Sequence, residues 1–310
     1  MLVNKPPAEI ADHLWMLGSV EYPLFLYKGR DRGTLFEGGI GPMGPLVCEQ
    51  LDTLGIAGPF VRQIVVTHAH PDHVMAVPML RETFAGTEVL ASEAAAKTLG
   101  IEKAIAFFCK IDDQLSEALV RAGTITDEHR RAPLAENRIA VDRTLEGGDS
   151  VEVDDGVAFQ VLATPGHSDC SLSFYEPTSG TLLVSDATGY YLPEHDYWWP
   201  DYFVDYGTYL DSMKRLAELD ARVLCLAHNA VICGTDAVAA YFRDAIRATE
   251  AYHERIIAES RAGRSVREIA EALGAEVYDK TQLLPLEFFQ KNCANLVKAS
   301  LRHEEIEAET

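Results

Sequence analysis

Basic residues are scarce in this 310-residue chain, because 27 lysines and arginines stand against 48 aspartates and glutamates, for a formal net charge of −21. Such a charge repels polyanions and argues against nucleic acid or an anionic membrane as a partner. The sequence also lacks an apolar run of the roughly 18–20 residues that a membrane span needs. Its N-terminus lacks the basic and apolar segments of a signal peptide. We therefore expect a cytoplasmic protein that acts on a small molecule.

Cysteine pairs at the spacing of metal or redox motifs are also missing, because the six cysteines are scattered without a CxxC sequence. We predict buried free thiols in a reducing compartment. Apolar residues, by contrast, are plentiful at 47% of the chain, and charges of both signs are present. That composition is typical of a packed globular protein.

Two blocks of short apolar or alternating segments predict strands, and the β-branched run Gln63–Thr67 is typical of a strand buried on both faces. Residues 92–135, between the blocks, have helix-forming composition and helical apolar spacing, which predicts a helical insert. The predicted strands are His13–Leu17, Pro23–Lys28, Thr34–Glu37, Gln63–Thr67, Val89–Ala91, Arg143–Leu145, Ser150–Val153, Ala158–Ala163, Ser171–Tyr175 and Thr181–Ser185.

After these blocks we predict one further short strand, Val223–Leu226, flanked by helices. Helices are predicted at Gly44–Leu54, at Val74–Phe84 and from Ala237 to about Glu307, with a break near Gly274–Pro285.

This order of elements predicts an α+β fold, namely a layered αββα sandwich. We assign residues 1–235 to the sandwich domain, with the helical insert at about 92–135. Residues 236–310 are predicted to form a C-terminal helical extension that caps the active site.

The densest group of polar side chains lies in the run Thr67–His73, directly after a predicted buried strand. His68 and His70 emerge side by side from the strand end and can converge on one cation. Asp72 and His73 follow the turn and can reach a second cation nearby. Imidazole nitrogens and carboxylate oxygens are ligands that zinc, iron and manganese all accept. This spacing predicts a metal site.

Three more candidate ligands, His167, Asp186 and His228, each follow a predicted strand of their own. Any one of them alone would be typical of a helix cap or a loop residue. Together with the first motif they complete two sites, with Asp186 as the bridge. One site would contain His68, His70 and His167, and the other would contain Asp72, His73 and His228.

Two divalent ions held by this set would keep an excess of positive charge, which can polarise a carbonyl and stabilise an oxyanion. Bound to such ions, water ionises near neutral pH. Asp72 is the candidate catalytic residue, because its carboxylate can steer that hydroxide or relay its proton.

The HxHxDH signature in Thr67–His73, followed in order by His167, Asp186 and His228, resembles the metallo-β-lactamase superfamily. The resemblance covers roughly residues 10–235 and implies an αββα sandwich with a binuclear hydrolytic centre. One departure is visible, since His228 lies in Ala-His-Asn rather than in the Pro/Gly-His-Gly context usual for the last histidine.

Segments outside the metal motifs resemble the PqsE-like thioesterases, which are quinolone-signal response proteins. The similarity extends nearly from end to end and implies thioesterase activity, with C-terminal helices that restrict access to the site. The segments that carry it are Asp12–Leu26, Phe36–Ile40, Val89–Glu93, Gly166–Asp169 and Leu283–Glu287.

The chain is unusually aromatic after Asp186, and aromatic walls suit an acyl or aryl group. We predict that Tyr190, Tyr191 and Phe288 bind the substrate. A coenzyme A thioester would also need cations for its phosphates, and the candidates on the insert are Lys103, Lys110, Arg130 and Arg131.

The sequence thus predicts a binuclear metal-dependent hydrolase that cleaves a small ester or thioester, including the acyl-CoA type, by metal-bound hydroxide. A lactonase, a phosphodiesterase and a PqsE-like regulatory protein that acts through protein contacts remain alternatives. An oxygenase with a single iron is a further one. The substrate, the choice among zinc, iron and manganese, and the oligomeric state, with a homodimer as one option, stay open.

Overall fold

The computed structural model describes residues 1–56 and 60–306. In this part of the chain the strands form two seven-stranded sheets and one two-stranded hairpin. The N-terminal sheet has the order β2 (Ala8–Ala11), β3 (Leu14–Gly18), β4 (Pro23–Lys28), β5 (Gly33–Phe36), β6 (Val61–Val65), β7 (Glu88–Ser92) and β8 (Arg143–Leu145). The C-terminal sheet has the order β1 (Leu2–Val3), β16 (Val231–Cys233), β15 (Val223–Leu226), β12 (Thr181–Ser185), β11 (Leu172–Glu176), β10 (Val157–Ala163) and β9 (Ser150–Asp154).

The two sheets pack face to face, and strand alternation explains how. On β4, Phe25 points into the core between the sheets, whereas Leu24 and Leu26 join the core under the outer helices. The ring of Phe36 lies 4.8 Å from that of Phe159 and so joins the two sheets. Because both faces of β4 are buried, its sequence is apolar almost without interruption.

Helices cover the outer faces of both sheets, which gives the predicted αββα order and confirms the α+β fold class. The described helices are α1 (Met43–Thr53), α2 (Val77–Thr83), α3 (Glu93–Leu99), α4 (Glu102–Ala122), α5 (Tyr206–Ala217), α6 (Thr235–Arg261), α7 (Val266–Thr281) and α8 (Leu286–His303). None of them is long and apolar enough to cross a membrane. All six cysteines are free, as predicted, but only Cys225 and Cys293 are fully buried, and the other four are partly exposed.

The insert is helical only in part. Ser92 caps α3 by accepting a hydrogen bond from the amide of Ala95, and Gly123 ends α4 in the left-handed region at φ 75°. From residue 130 to residue 142 the chain has no regular element. The division into a sandwich domain and an extension stays a prediction, and the last residues of that extension, 307–310, lie outside the described residues.

One prediction for the C-terminal half was wrong. The prediction of one strand after residue 185 missed β16 and the hairpin of β13 (Tyr190–Leu192) and β14 (Tyr197–Trp199). Three-residue strands have too short a pattern to be recognised, and β16 exists because it pairs with β15 and with β1.

The predicted helix break near Gly274–Pro285 is confirmed only in its second part. Gly274 lies inside α7, and the break begins only at Gln282, whose φ is 49°. A Cβ at Gly274 would lie 2.6 Å from the amide nitrogen of Gln290. This glycine therefore serves the close packing of α7 on α8 rather than a turn.

Candidate metal centre

Four strands deliver the seven candidate ligands to one edge of the sandwich. In the C-terminal sheet β10 and β12 are both antiparallel to β11, and β15 is parallel to β12. The carboxyl ends of β10, β12 and β15 therefore lie at the same edge. The end of β6 meets this edge from the N-terminal sheet. The amide of Leu172, at the start of β11, donates a hydrogen bond to the carbonyl of Thr67, just after β6, over 2.9 Å.

Asp186 lies at the middle of the cluster. Its Oδ2 is 3.4 Å from Nε2 of His68 and 3.3 Å from Nε2 of both His73 and His167. Its Oδ1 is 3.4 Å from Nε2 of His228. One carboxylate thus faces imidazoles from both halves of the set, which is the position that the sequence predicts for a bridge.

The seven candidate ligands fall into the two predicted groups. In the first group the donor atoms of His68, His70, His167 and Asp186 all lie within 4.8 Å of one another, and the same holds for Asp72, His73 and His228 in the second. Nε2 of His68, Nε2 of His73 and Oδ1 of Asp186 are buried without a hydrogen-bond partner. Buried polar atoms rarely lack partners, so nitrogen and oxygen donors that converge in this way fit divalent cations. The role of each residue as a ligand stays a prediction.

The second ring nitrogen of each of three histidines is held by the protein. His73 Nδ1 lies 2.8 Å from Oε2 of Glu37. His167 Nδ1 lies 2.8 Å from the carbonyl oxygen of Asp201, and His228 Nδ1 lies 2.7 Å from that of Glu21. Such contacts fix the ring orientation and leave Nε2 free to face a cation.

Glu37 was missed by the sequence reasoning. It follows β5 at φ 73°, is buried, and also accepts a hydrogen bond from the hydroxyl of Thr67 over 3.0 Å. The available signal was its position after a strand in Phe36–Ile40, like that of the other cluster residues. A single glutamate before two glycines is also typical of a turn, so the signal was weak.

Burial and the carboxylates set the charges of the cluster. Burial lowers the pKa of His68 and of His167 to about 4 and that of His70 to about 3, which keeps these imidazoles neutral. Burial would raise the pKa of Asp186, but the neighbouring histidines His73 and His167 outweigh it and the pKa is lowered. Burial would lower the pKa of His73 and of His228, but Asp186 and Asp72 outweigh it and both pKa values are raised. Neutral imidazoles and ionised carboxylates are the forms that bind metal, so a bound cation would displace the protons of these two rings.

Backbone strain is concentrated beside the cluster. Ser185, directly before Asp186, has φ 49°, and Asn229, directly after His228, has φ 66°. Non-glycine residues in this region store strain that the surrounding structure must support, and such residues are frequent at functional sites.

A cavity of about 660 Å³ opens onto the cluster. Its outer wall is apolar and comes from α4, which contributes Phe108 and Ile111, and from the segment around Phe288 and Phe289. No lysine or arginine of the described residues lines it.

The three predicted substrate-binding residues differ in their placement. Tyr190 and Phe288 line the cavity, and the ring of Tyr190 lies 4.6 Å from that of His228. Tyr191 is not among the lining residues; its ring stacks on Trp198 at 4.3 Å. Sequence position alone favoured both tyrosines equally. Only Tyr190 lines the cavity, because alternation along β13 sends successive side chains to opposite faces. Their roles in binding stay predictions.

Asp201 also lines the cavity and was not predicted from the sequence. Its side chain is buried, and this burial, together with the charges of Asp186 and Asp72, raises the pKa of its carboxyl group well above the usual range.

Residues 24–228 match the family model of the metallo-beta-lactamase superfamily. Among solved structures the chain is similar to a metallo-beta-lactamase family protein from Thermus thermophilus, with a TM-score of 0.61 and 21% identity over 96% of this chain and 95% of that one. It is also similar to a HARLDQ-motif mutant of a Cronobacter sakazakii metallo-beta-lactamase (TM-score 0.58, 18% identity, 83% of this chain and 98% of that one). A third is the metallo-beta-lactamase MIM-1 from Novosphingobium pentaromativorans (TM-score 0.57, 22% identity, 84% and 92%). At these identities the structural likeness shows the fold alone.

Proposed function

Because the chain belongs to the metallo-beta-lactamase superfamily, whose members are metal-dependent hydrolases, we propose that it is a binuclear hydrolase of small thioesters or esters. The observation that carries this proposal is the cluster itself, in which two groups of donor atoms share the central Asp186 and open onto an apolar cavity. Two divalent ions held there would acidify water and polarise a substrate carbonyl.

Asp72 is proposed to handle the proton. Its side chain is 24% exposed, whereas that of Asp186 is 7% exposed. Oδ2 of Asp72 lies 3.5 Å from Nε2 of His73 and 3.6 Å from Nε2 of His228. Burial would raise the pKa of Asp72, but these two imidazoles outweigh it and keep the carboxylate ionised. Oδ2 can therefore accept a proton from the attacking water and pass it to the leaving group.

The apolar wall favours an acyl or aryl group as the part of the substrate that enters the cavity. The two arginines predicted for coenzyme A phosphates are already engaged. Arg130 Nε is bonded to Asp127 over 2.7 Å, and Arg131 Nε is bonded to the buried Asp112 over 2.5 Å. Lys103 and Lys110 are exposed on α4, and no lysine or arginine of the described residues lines the cavity. We therefore propose a small thioester rather than one selected through its phosphates. The resemblance to PqsE-like proteins supports thioester chemistry, and the six free thiols favour a reducing compartment, for which we propose the cytoplasm.

The test is metal quantification of natively purified protein, followed by a panel of short acyl and arylacyl thioesters and esters, a lactone and a phosphodiester. We expect two divalent ions per chain and fastest turnover of a thioester. His70→Ala and Asp72→Ala should lose turnover, whereas His195→Ala, which changes an exposed histidine outside the cluster, should keep it.

Equal turnover in wild type, His70→Ala and Asp72→Ala would contradict the mechanism. Faster turnover of the lactone or of the phosphodiester would make that compound's class the substrate class in place of the proposed thioesters and esters. One iron per chain with oxygen consumption would instead favour an oxygenase. Variants that lose turnover but keep the biological output in cells would favour a regulatory role.

A further inference from the structure

Asp201 is a buried acid without a partner in the wall of the cavity. It lies between β14 and α5, is 4% exposed and lines the cavity, yet its Oδ1 has no hydrogen-bond partner among the described residues. Its backbone, in contrast, is well held, because the carbonyl oxygen accepts hydrogen bonds from His167 Nδ1 and from the amide of Phe203, both over 2.8 Å. The loop thus fixes the residue while leaving Oδ1 of its carboxyl group unsatisfied.

An unsatisfied buried carboxyl group weakens the folded state, because its burial removes hydrating water and no protein donor replaces it. The backbone contact to His167 does not require an aspartate, since any side chain leaves the carbonyl oxygen in place. The described contacts therefore give the acid no structural role, and a group that enters the cavity is the partner left for it.

The surroundings indicate what that group is. The ring of Trp199 lies 6.0 Å from that of Phe203 and 5.6 Å from that of Phe289, and all three residues line the cavity with Asp201. The faces of aromatic rings attract cations. No described lysine or arginine lines the cavity to neutralise the acid or to attract an anion.

We infer that Asp201 and the aromatic residues Trp199, Phe203 and Phe289 form a subsite for an ammonium or a comparable N–H donor on the acyl part of the substrate. This inference rests on the proposed function, because it assigns the substrate class of the same cavity. It makes Asp201 a specificity-determining residue, which contacts the substrate away from the bond that breaks.

The test is a binding measurement, which requires no turnover. Isothermal titration calorimetry of the metal-loaded protein compares 2-phenylethylammonium with 2-phenylethanol, two ligands with the same ring and different polar ends. We expect the ammonium to bind at least about 10-fold more tightly, which is the usual gain of a hydrogen bond to a charged group. Asp201→Asn keeps the shape of the side chain but cannot carry a negative charge, so this ratio should fall to about one.

Asp169→Asn is the matched control, because Asp169 lines the same cavity but is exposed. It should keep the preference of the wild-type protein for the ammonium. Equal affinity for the two ligands in the wild type, or a preference that survives in Asp201→Asn, would overturn the inference. Loss of the preference in Asp169→Asn to the same extent would also overturn it, because the effect would then come from the overall negative charge of the cavity rather than from Asp201.

Stability and metal content give a second readout. Asp201→Asn should keep its metals and unfold at the same or a higher temperature, since an amide costs less to bury than an ionisable carboxyl group. Loss of metal with a lower unfolding temperature would mean that the side chain supports His167, and would overturn the subsite. A protein that binds the ammonium as expected but hydrolyses nothing in the panel would contradict the proposed function and leave the subsite standing.

Discussion

The two ends of the cavity are built in different ways. At the inner end, seven polar side chains come from the ends of β6, β10, β12 and β15, and neighbouring backbone or carboxylate groups hold several of their rings. At the outer end, apolar side chains come from α4, from the start of α8 and from the segment that leads into it, and they belong to one hydrophobic core. Ligand geometry tolerates little change, whereas an apolar wall tolerates exchange of similar volumes. We therefore expect changes at the inner end to affect metal content and turnover, and changes at the outer end to affect substrate choice.

The largest effect is expected for Asp186→Ala, because this carboxylate faces imidazoles of both groups. We expect turnover to fall by about 10³-fold or more and the metal content to drop below that of the wild type, measured by elemental analysis and initial rates. Asp220→Ala changes an exposed aspartate outside the cluster and should leave both unchanged. Full metal content with full turnover in Asp186→Ala would show that the cluster does not act through this residue.

A smaller loss is expected for Glu37→Gln, which keeps the shape of the side chain and removes the charge facing His73 Nδ1. Exchange of such an outer partner usually lowers metal affinity or activity by about 10–100-fold. Competition with a chromogenic chelator measures the affinity. If the second metal binds as tightly as in the wild type, Glu37 supports the fold rather than the centre.

At the outer end, Phe288→Ala should change substrate choice rather than chemistry. Loss of the buried part of this ring should raise KM for an arylacetyl thioester by about 10-fold, the equivalent of about 1.4 kcal/mol. KM for an acetyl thioester and kcat for both should change little. A fall in kcat for the acetyl thioester would show that the outer wall also positions the centre, and the contrast between the two ends would fail.

The smallest effect is expected for Phe107→Ser. Phe107 lines the mouth of the cavity but is 57% exposed, so little of its surface is available to a bound substrate. We expect KM for the arylacetyl thioester to change by less than about threefold. A change as large as that in Phe288→Ala would mean that α4 closes over the substrate.

Prediction from the sequence succeeded where the signal is local. The motif Thr67–His73 and the strand ends before His167, Asp186 and His228 predicted which side chains meet, because parallel strands end at one edge of a sheet. It failed where the signal depends on a distant partner. Glu37 and Asp201 have ordinary sequence surroundings, and only the packing of β5 and of the loop after β14 brings them to the site.

By itself, the sequence determined the candidate ligand set and the layered architecture of this protein, since residue types, their spacing and strand periodicity are written along the chain. Only the tertiary structure decided which aromatic residues line the cavity, that Gly274 packs α7 on α8, and that Asp201 is buried without a partner. The physical reason is that burial and unsatisfied hydrogen bonds depend on atoms far apart in the chain. No local pattern records them.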